Sequence, residues 1–450
     1  MISTDFAPNE SWDDAWLSLK LLLQPWKWRS GIESKLVKKN ILSKFQISNN
    51  KYQISFFLSG RSALYFLLKS LNLPKGSEVL IQAFTCEAVV LPIIELDLKP
   101  VYVDIEVHSY SLDYRFLTNK LTPLRPSGFA GQANKPKVLI LQHTFGLTPK
   151  FRKEIIRLAQ EKDLIIIEDL AHGFNQNVFV PNNQYPITNN YYLLSFGRSK
   201  MLSSVFGGAL VSSNQVTSKL ANQLTYPDYG FIFLCLLYKP LIMLIKSTYD
   251  FFYLGKMLHK ILEKSGFLIP EITKKEKEGN YDQIFNKAYP NALAILLIHQ
   301  LNKFERVQRQ RAKICSYYSR VIQYNTSGHP ERLAKDLATG GSVKSNKNAS
   351  LDSSFRFAPF RMTKGHGLIR FPLLAENRDE LIKKLKEKKI FLGKWYDQVV
   401  GPNDLDLNRV KYKLGSCPVA EEICKKIINL PTNISESEAE RVVNYLKSRA

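Results

Sequence analysis

Apolar and polar positions change their period along the chain, and each change predicts a different kind of structure. In residues 1–50, Trp12, Ala15, Trp16, Leu19, Leu22 and Leu23 recur at helical spacing. Ser11 stands where it would cap the helix they predict. Pro25 ends that pattern. From about 51 to 215, short continuous apolar runs alternate with helical periods. QISFFL, EVLIQAF, KPVYVDI, KVLILQH, LIIIED, YYLLSF and GGALVSS predict strands. SALYFLLKSLNL, EAVVLPIIEL and KFRKEIIRLAQEKD predict helices between them. Strands apolar throughout and separated by helices predict an α/β domain with a mostly parallel sheet covered on both faces.

The pattern then breaks. Residues 226–265 are crowded with large apolar and aromatic side chains, interrupted by Lys239, Pro240 and Lys246. Residues 288–323 read as one long helix. Residues 327–365 are rich in Gly, Ser and Lys and predict a long loop. A strand (LIRFPLL), a helix (RDELIKKLKEKK) and a closing helix capped by Ser435, with Glu438 three residues on, complete the chain. The expected organisation is an amphipathic Trp-rich arm over 1–50 and a large domain over 51–300 with an apolar insertion at about 226–280. A smaller α+β C-terminal domain over 301–450 carries the 327–365 loop.

Composition narrows the function classes. The 450 residues are 45% hydrophobic and 12% aromatic, too rich for a disordered chain. The five cysteines, at 86, 235, 315, 417 and 424, form no CxxC pair and no Cys/His cluster. That argues against a zinc module and a disulfide scaffold and predicts a reducing compartment. Asp5, Glu10, Asp13 and Asp14 precede the first apolar stretch, the wrong sign for a secretory signal. No uninterrupted run of about 20 apolar residues predicts a spanning helix. The expected location is cytoplasmic.

The net charge of +23 raises three partner classes: nucleic acid, an anionic membrane surface and a phosphorylated substrate. Residues 51–215 hold 17 basic and 12 acidic residues, leaving +18 of the +23 to the rest of the chain. No nucleic-acid partner is expected, because no zinc finger, aromatic RNP-like motif or recognition helix accompanies the charge.

Three segments carry candidate chemistry. SGRSALYFLL opens a helix directly after a strand, with Gly60 followed by Arg61 and Ser62. Free N–H groups at such a helix start bind phosphate. LIIIEDLAHG places Asp169 at the end of an apolar strand, where open α/β sheets present ligand-contacting groups. YYLLSFGRSKMLSSVFGGALVSS ends a strand in Ser195 and holds Lys200 in the turn after it. A lysine there can join an aldehyde cofactor as a Schiff base. Each segment alone has an ordinary reading: Gly60 as a turn, Asp169 as a helix cap, Lys200 as a solvated charge. Together, a phosphate cradle, an acid and a lysine about thirty residues after the acid are what pyridoxal 5'-phosphate requires.

These motifs resemble the DegT/DnrJ/EryC1/StrS family of sugar aminotransferases. The likeness runs from GRSAL through VLIQAFT, PVYVDIE, QHTFG, IEDLAHG and SFGRSK. It resumes at FNKAYPNALAILLIHQLNKFERVQRQRAKICSYY and ends at CPVAEEICKKIINLPTNISESEAERV. It covers about 50–215 and 280–450. It implies the pyridoxal-phosphate transferase fold of type I, like aspartate aminotransferase. It implies that Lys200 is the Schiff-base lysine and proton shuttle, that Asp169 pairs with the pyridine nitrogen and that Ser195 binds the phosphate. Arg61 and Ser62, after Gly60, would offer backbone amides to the phosphate. Thr85 matches a cofactor-site threonine, and His172 stands where the family usually has Gln near the ring hydroxyl. Asn286 matches an Asn that reaches a neighbouring subunit's phosphate, which implies a homodimer.

The chain departs from the family at several of these places. Cys86 replaces an aromatic residue that stacks on the cofactor. Val205-Phe206 replaces Gly-Glu, Ile284-Phe285 replaces Gly-Tyr, and Ala288 replaces an Arg. The resemblance implies that an amino donor, glutamate, delivers an amine that a keto-sugar accepts, on a nucleotide or lipid carrier, in amino-sugar or polysaccharide biosynthesis. Two other readings remain at this point: a non-catalytic relative, and a sugar dehydratase that uses the same cofactor. A family branch with His in place of the lysine performs that dehydration, and Lys200 argues for transamination.

The arm and the insertion have two readings. Four of the five tryptophans, at 12, 16, 26 and 28, lie in the arm beside Lys27, Arg29, Lys35, Lys38 and Lys39. Such pieces either pack on the dimer and the large domain or lie on a membrane surface.

Overall fold

A computed structural model describes residues 1–47, 52–122, 136–173, 190–213, 216–249, 251–252, 254–323, 355–356 and 367–447. The loop expected over 327–365 lies outside the described residues except for the short strand Phe355–Arg356.

Every strand expected between 51 and 215 forms. They are β1 (Gln53–Phe57), β2 (Glu78–Gln82), β3 (Lys99–Val103), β4 (Pro136–Gln142), β5 (Ile165–Asp169), β6 (Asn190–Ser195) and β7 (Gly208–Ser212). They make one sheet in the order β1-β7-β6-β5-β4-β2-β3. Only β7 runs antiparallel to its neighbours. Side chains alternate across the sheet, and both faces are apolar for that reason. Leu80, Leu139, Leu141 and Ile166 join one core, and Val79, Ile81, Ile140 and Ile167 join the other. The register sets Asp169 beside Gln142 on one side and Leu193 on the other. The ends of β4, β5 and β6 therefore meet at one edge.

The C-terminal region builds a second sheet, with Phe371–Ala375 between Phe355–Arg356 and Ile427–Leu430. The closing helix Glu436–Lys447 starts as expected, with the Glu438 carboxylate accepting the Ser435 N–H at 2.9 Å.

The arm is built into both parts. Ile2–Ser3 pairs in parallel with Ile390–Phe391 of the C-terminal region. Its helix α1 (Trp12–Leu22) packs on the long helices further along the chain. Helices α2 (Gly60–Ser70) and α3 (Glu87–Glu95) follow β1 and β2. The insertion forms α4 (Tyr229–Thr248) and α5 (Leu254–Lys264), and α6 (Asn291–Gln323) is the long helix. α4 is long and apolar enough to cross a membrane, by length and composition only. Lys239, Pro240 and Lys246 interrupt the apolar run along it. The fold absorbs the first of these: Lys239 is wholly buried and ion-paired with Glu10 of the arm.

Candidate active site

A cavity of about 360 Å³ opens where β4, β5 and β6 end. Seven of the expected site residues line it: Gly60, Arg61, Cys86, Asp169, His172, Ser195 and Lys200. Ser62 and Thr85 lie behind the wall, fully buried. Asn286 lies elsewhere, where its Oδ1 accepts the Tyr281 hydroxyl at 2.6 Å.

Strand geometry separates two adjacent acids. Asp169 faces the cavity, while Glu168 points to the other face of the sheet. There Glu168 takes two bonds of 2.7 Å from Arg152 and one of 3.0 Å from His143. Burial opposes its charge, but Arg152 and His143 hold Glu168 down to about 2. Asp169 has no such clamp. Burial pushes its pKa up, against the Ala171 N–H at 2.9 Å, the charge of Lys200 and the Gln142 amide at 3.1 Å. An acid in this condition gains from a cationic partner.

Gly60 starts α2 hard against Ser195. A Cβ at position 60 would stand 3.2 Å from both Cβ and Oγ of Ser195. A Cβ on Gly208 would meet the Ser59 backbone at 2.4 Å, so the strand after the lysine turn also needs its glycine. Ser59 caps α2, its hydroxyl accepting the Ser62 N–H at 3.1 Å. The Arg61 side chain is used elsewhere. It donates to the Glu271 carbonyl at 2.8 Å, pairs with Glu276 and packs 4.9 Å over the Phe285 ring. Only its backbone amide is left for an anion at the helix start.

Lys200 is half-buried in the turn after β6. Its Nζ makes no hydrogen bond or ion pair among the described residues and lies 5.4 Å from the Trp395 ring centre. His172 Nδ1 accepts the Phe145 N–H at 3.2 Å, so the ring proton sits on Nε2. That Nε2–H meets the Tyr396 hydroxyl oxygen at 3.1 Å, and the hydroxyl bonds the Cys86 thiol. Burial drives the His172 pKa well down, keeping the ring neutral. Burial likewise pushes the Cys86 thiol up to about 12.

Several lining residues escaped the sequence reading. Trp395 and Tyr396 come from the C-terminal region, Asp5 from the arm, and Glu271 from the segment after α5. The Ser199 hydroxyl lies 3.3 and 3.4 Å from the two Glu271 carboxylate oxygens. One signal was available: Trp395 is the single Trp outside the arm. With Cys86 at the position where an aromatic ring was expected, Trp395 is an aromatic ring beside both Lys200 and His172, 5.4 Å from each.

The residues present fit pyridoxal phosphate. A helix start and Ser195 offer an anion site, and Asp169 is a buried acid with no ion-pair contact among the described residues. Among the described residues Lys200 Nζ is unpaired, and Thr85 Oγ1 and Gln142 Oε1 are buried without partners.

The fold is that of known aminotransferases. A DegT/DnrJ/EryC1/StrS aminotransferase from Brucella abortus superposes with a TM-score of 0.65 at 17% identity, covering 97% of this chain and 95% of that one. A putative sugar aminotransferase from Streptococcus pneumoniae, in its PMP form, gives 0.65 at 15% identity over 99% and 98%. In sequence, an uncharacterised Methanocaldococcus jannaschii protein is 24% identical over 428 residues, 92% of this chain and 87% of the relative. The dTDP-4-amino-4,6-dideoxy-D-glucose transaminase of Escherichia coli is 22% identical over 395 residues, 87% and 84%. The profile of the DegT/DnrJ/EryC1/StrS aminotransferase family matches residues 39–230 and 272–447, and the chain belongs to that family. It is a transaminase dependent on pyridoxal phosphate.

Proposed function

We propose that this protein transfers an amino group from an amino-acid donor to a keto-sugar held on a nucleotide or lipid carrier. The observation that carries this is the convergence of Lys200, Asp169, Ser195 and the α2 start on one cavity. Relatives named as a transaminase of a dTDP-linked sugar, a GDP-perosamine synthase and an aminotransferase of a UDP-linked sugar support the substrate class.

Pyridoxal phosphate, when bound, supplies an electron sink for the carbon that loses its proton. Asp169 would hold the ring nitrogen protonated, and Ser195 with the first amides of α2 would hold the phosphate. Neutral His172, fixed by Phe145 and Tyr396, would face the ring hydroxyl, and Thr85 would stand behind it. Lys200 would move the proton between carbon and nitrogen as base and then acid. Its lack of a fixed partner among the described residues leaves Nζ free to travel.

The same reading makes the protein a homodimer in which Asn286 serves the partner's cavity, since it lies outside its own. It also places the protein in the cytoplasm, a reading supported by five free cysteines.

The test is spectroscopic. Glutamate added to the purified, cofactor-loaded protein should convert its absorbance, and a keto-sugar nucleotide should reverse the change and yield an amino-sugar by mass spectrometry. Cofactor binding without conversion by any amino donor would favour dehydration. No cofactor binding would favour a non-catalytic role.

A further inference from the structure

Two long parts of the chain lie outside the matched family region, residues 1–38 and 231–271, besides the last three residues. They pack together. α1 lies along α4, and α5 folds back on α4. Trp28 joins them, its ring 5.9 Å from Tyr229 and 6.4 Å from Phe233.

This layer is apolar on the wrong side. A surface helix normally turns its polar face to water. α1 instead leaves a second apolar side in water. Asp14 and Ser18 face inward beside Ala15 and Leu21, and Gln300 donates to Asp14 at 2.7 Å. Trp12, Trp16, Leu19 and Leu23 face outward at helical spacing, with Trp16 66% and Leu23 78% exposed. On α4, Phe233 and Leu244 are exposed, and on α5 so are Leu254, Met257 and Ile261. Trp26 and Phe252 stand out at the ends of the helices, 71% and 86% exposed.

We propose that this three-helix layer docks the protein on the surface of an anionic lipid bilayer. Its charge is complementary to such a surface. Lys20, Lys27, Lys256, Lys260 and Lys264 are exposed among the apolar side chains. Most acids of the same segments are turned away or held. Glu10 and Asp14 are buried, and Asp13 is held by His299 at 2.7 Å and Lys303 at 3.1 Å. Glu263 is the exposed acid of α5. Tryptophan bodies with lysines beside them suit the boundary between headgroups and acyl chains.

α4 lies on the bilayer and does not cross it, because Ile232, Cys235, Lys239 and Ile242 are fixed in the protein core. A second copy of the chain is a poorer occupant, since a self-complementary face would set lysine rows against each other. Both ends of the layer enter the cavity, at Asp5 before α1 and Glu271 after α5. Docking would therefore bring the cavity close to the membrane.

Sedimentation tests this with the full chain and vesicles of phosphatidylcholine alone or mixed with phosphatidylglycerol. The protein should pellet with the mixed vesicles, and less as salt rises. Trp16→Ala or Trp26→Ala should each weaken partitioning on the order of tenfold. Lys256→Gln or Lys260→Gln should each weaken it about fivefold. Retained cofactor absorbance would show that the variants are folded. A wild-type protein that stays in the supernatant with the mixed vesicles overturns the proposal. So does a Trp16→Glu/Met257→Glu variant that becomes monomeric while the wild type is dimeric and binds no vesicle, because the face would then join two copies.

Discussion

The side-chain amide of Asn9 donates to the backbone carbonyl of Lys200, 191 positions further along the chain. Its own oxygen accepts from Arg311 at 2.6 Å. The next residue, Glu10, pairs with buried Lys239 and accepts the Ser203 hydroxyl at 2.9 Å. The arm thus grips both sides of the lysine turn and anchors it to α4 and α6.

Breaking that grip has a defined cost. Glu10→Gln leaves Lys239 buried without its counter-charge, which should lower stability by roughly 3–5 kcal/mol. Urea denaturation at neutral pH measures it. A midpoint unchanged from wild type would mean that the pair contributes nothing. Asn9→Ala should disturb the lysine turn more than the fold, lowering turnover on a keto-sugar with a smaller loss of stability.

Lys200→Ala should abolish the absorbance band that marks the lysine–cofactor linkage. A band of unchanged shape in the purified variant would sink the lysine assignment. The variant should keep near-normal stability, since Nζ makes no hydrogen bond or ion pair among the described residues.

Glu87, at the start of α3, should make stability depend on pH. Burial pushes its carboxyl up from 4.5 to about 7, with Arg61 pulling down and Glu276 pushing up. The folded state keeps this proton over a range where the unfolded chain gives it up. The contribution is fully present below about pH 4.5 and is lost as pH rises through about 7. Urea midpoints between those values should fall with pH in the wild type relative to Glu87→Gln. Parallel curves would reject the assignment.

Tyr396→Phe removes the acceptor of the His172 Nε2–H and the partner of Cys86. A buried N–H left unpaired costs about 1–3 kcal/mol. The variant should lose stability in that range and should shift the cofactor's absorbance maximum, because the His172 ring, its tautomer still set by Phe145, would lose the partner that fixes its Nε2–H. Loss of stability with an unshifted maximum would assign Tyr396 to packing alone.

The sheet was legible because its signal is local. Unbroken apolar runs such as VLIL and LIII can be buried on both faces only in a covered sheet, and β4 and β5 form where those runs lie. The three chemical segments were legible for a related reason. In an open α/β sheet, short segments after successive strands fall at one edge, so order in sequence becomes proximity in space. Gly60, Asp169, Ser195 and Lys200 meet in that way.

The outward face of α1 was not legible. Spacing sets Trp12, Ala15, Trp16, Leu19, Leu22 and Leu23 on one stripe, and an apolar stripe ordinarily points inward. Here Asp14 and Ser18 share the inward positions with Ala15 and Leu21, because Gln300 and Lys303 of α6 wait there to meet Asp14.

The sequence by itself determined the strand and helix pattern, the family, the cofactor and the candidate lysine, acid and serine, because each depends on residues close together in the chain. Only the tertiary structure decided what surrounds them. It brought Tyr396 to His172, Glu271 to Ser199 and Asn9 to Lys200, contacts whose partners are far apart in sequence. No local period or motif encodes such a contact, because its energy arises only when the whole fold has formed.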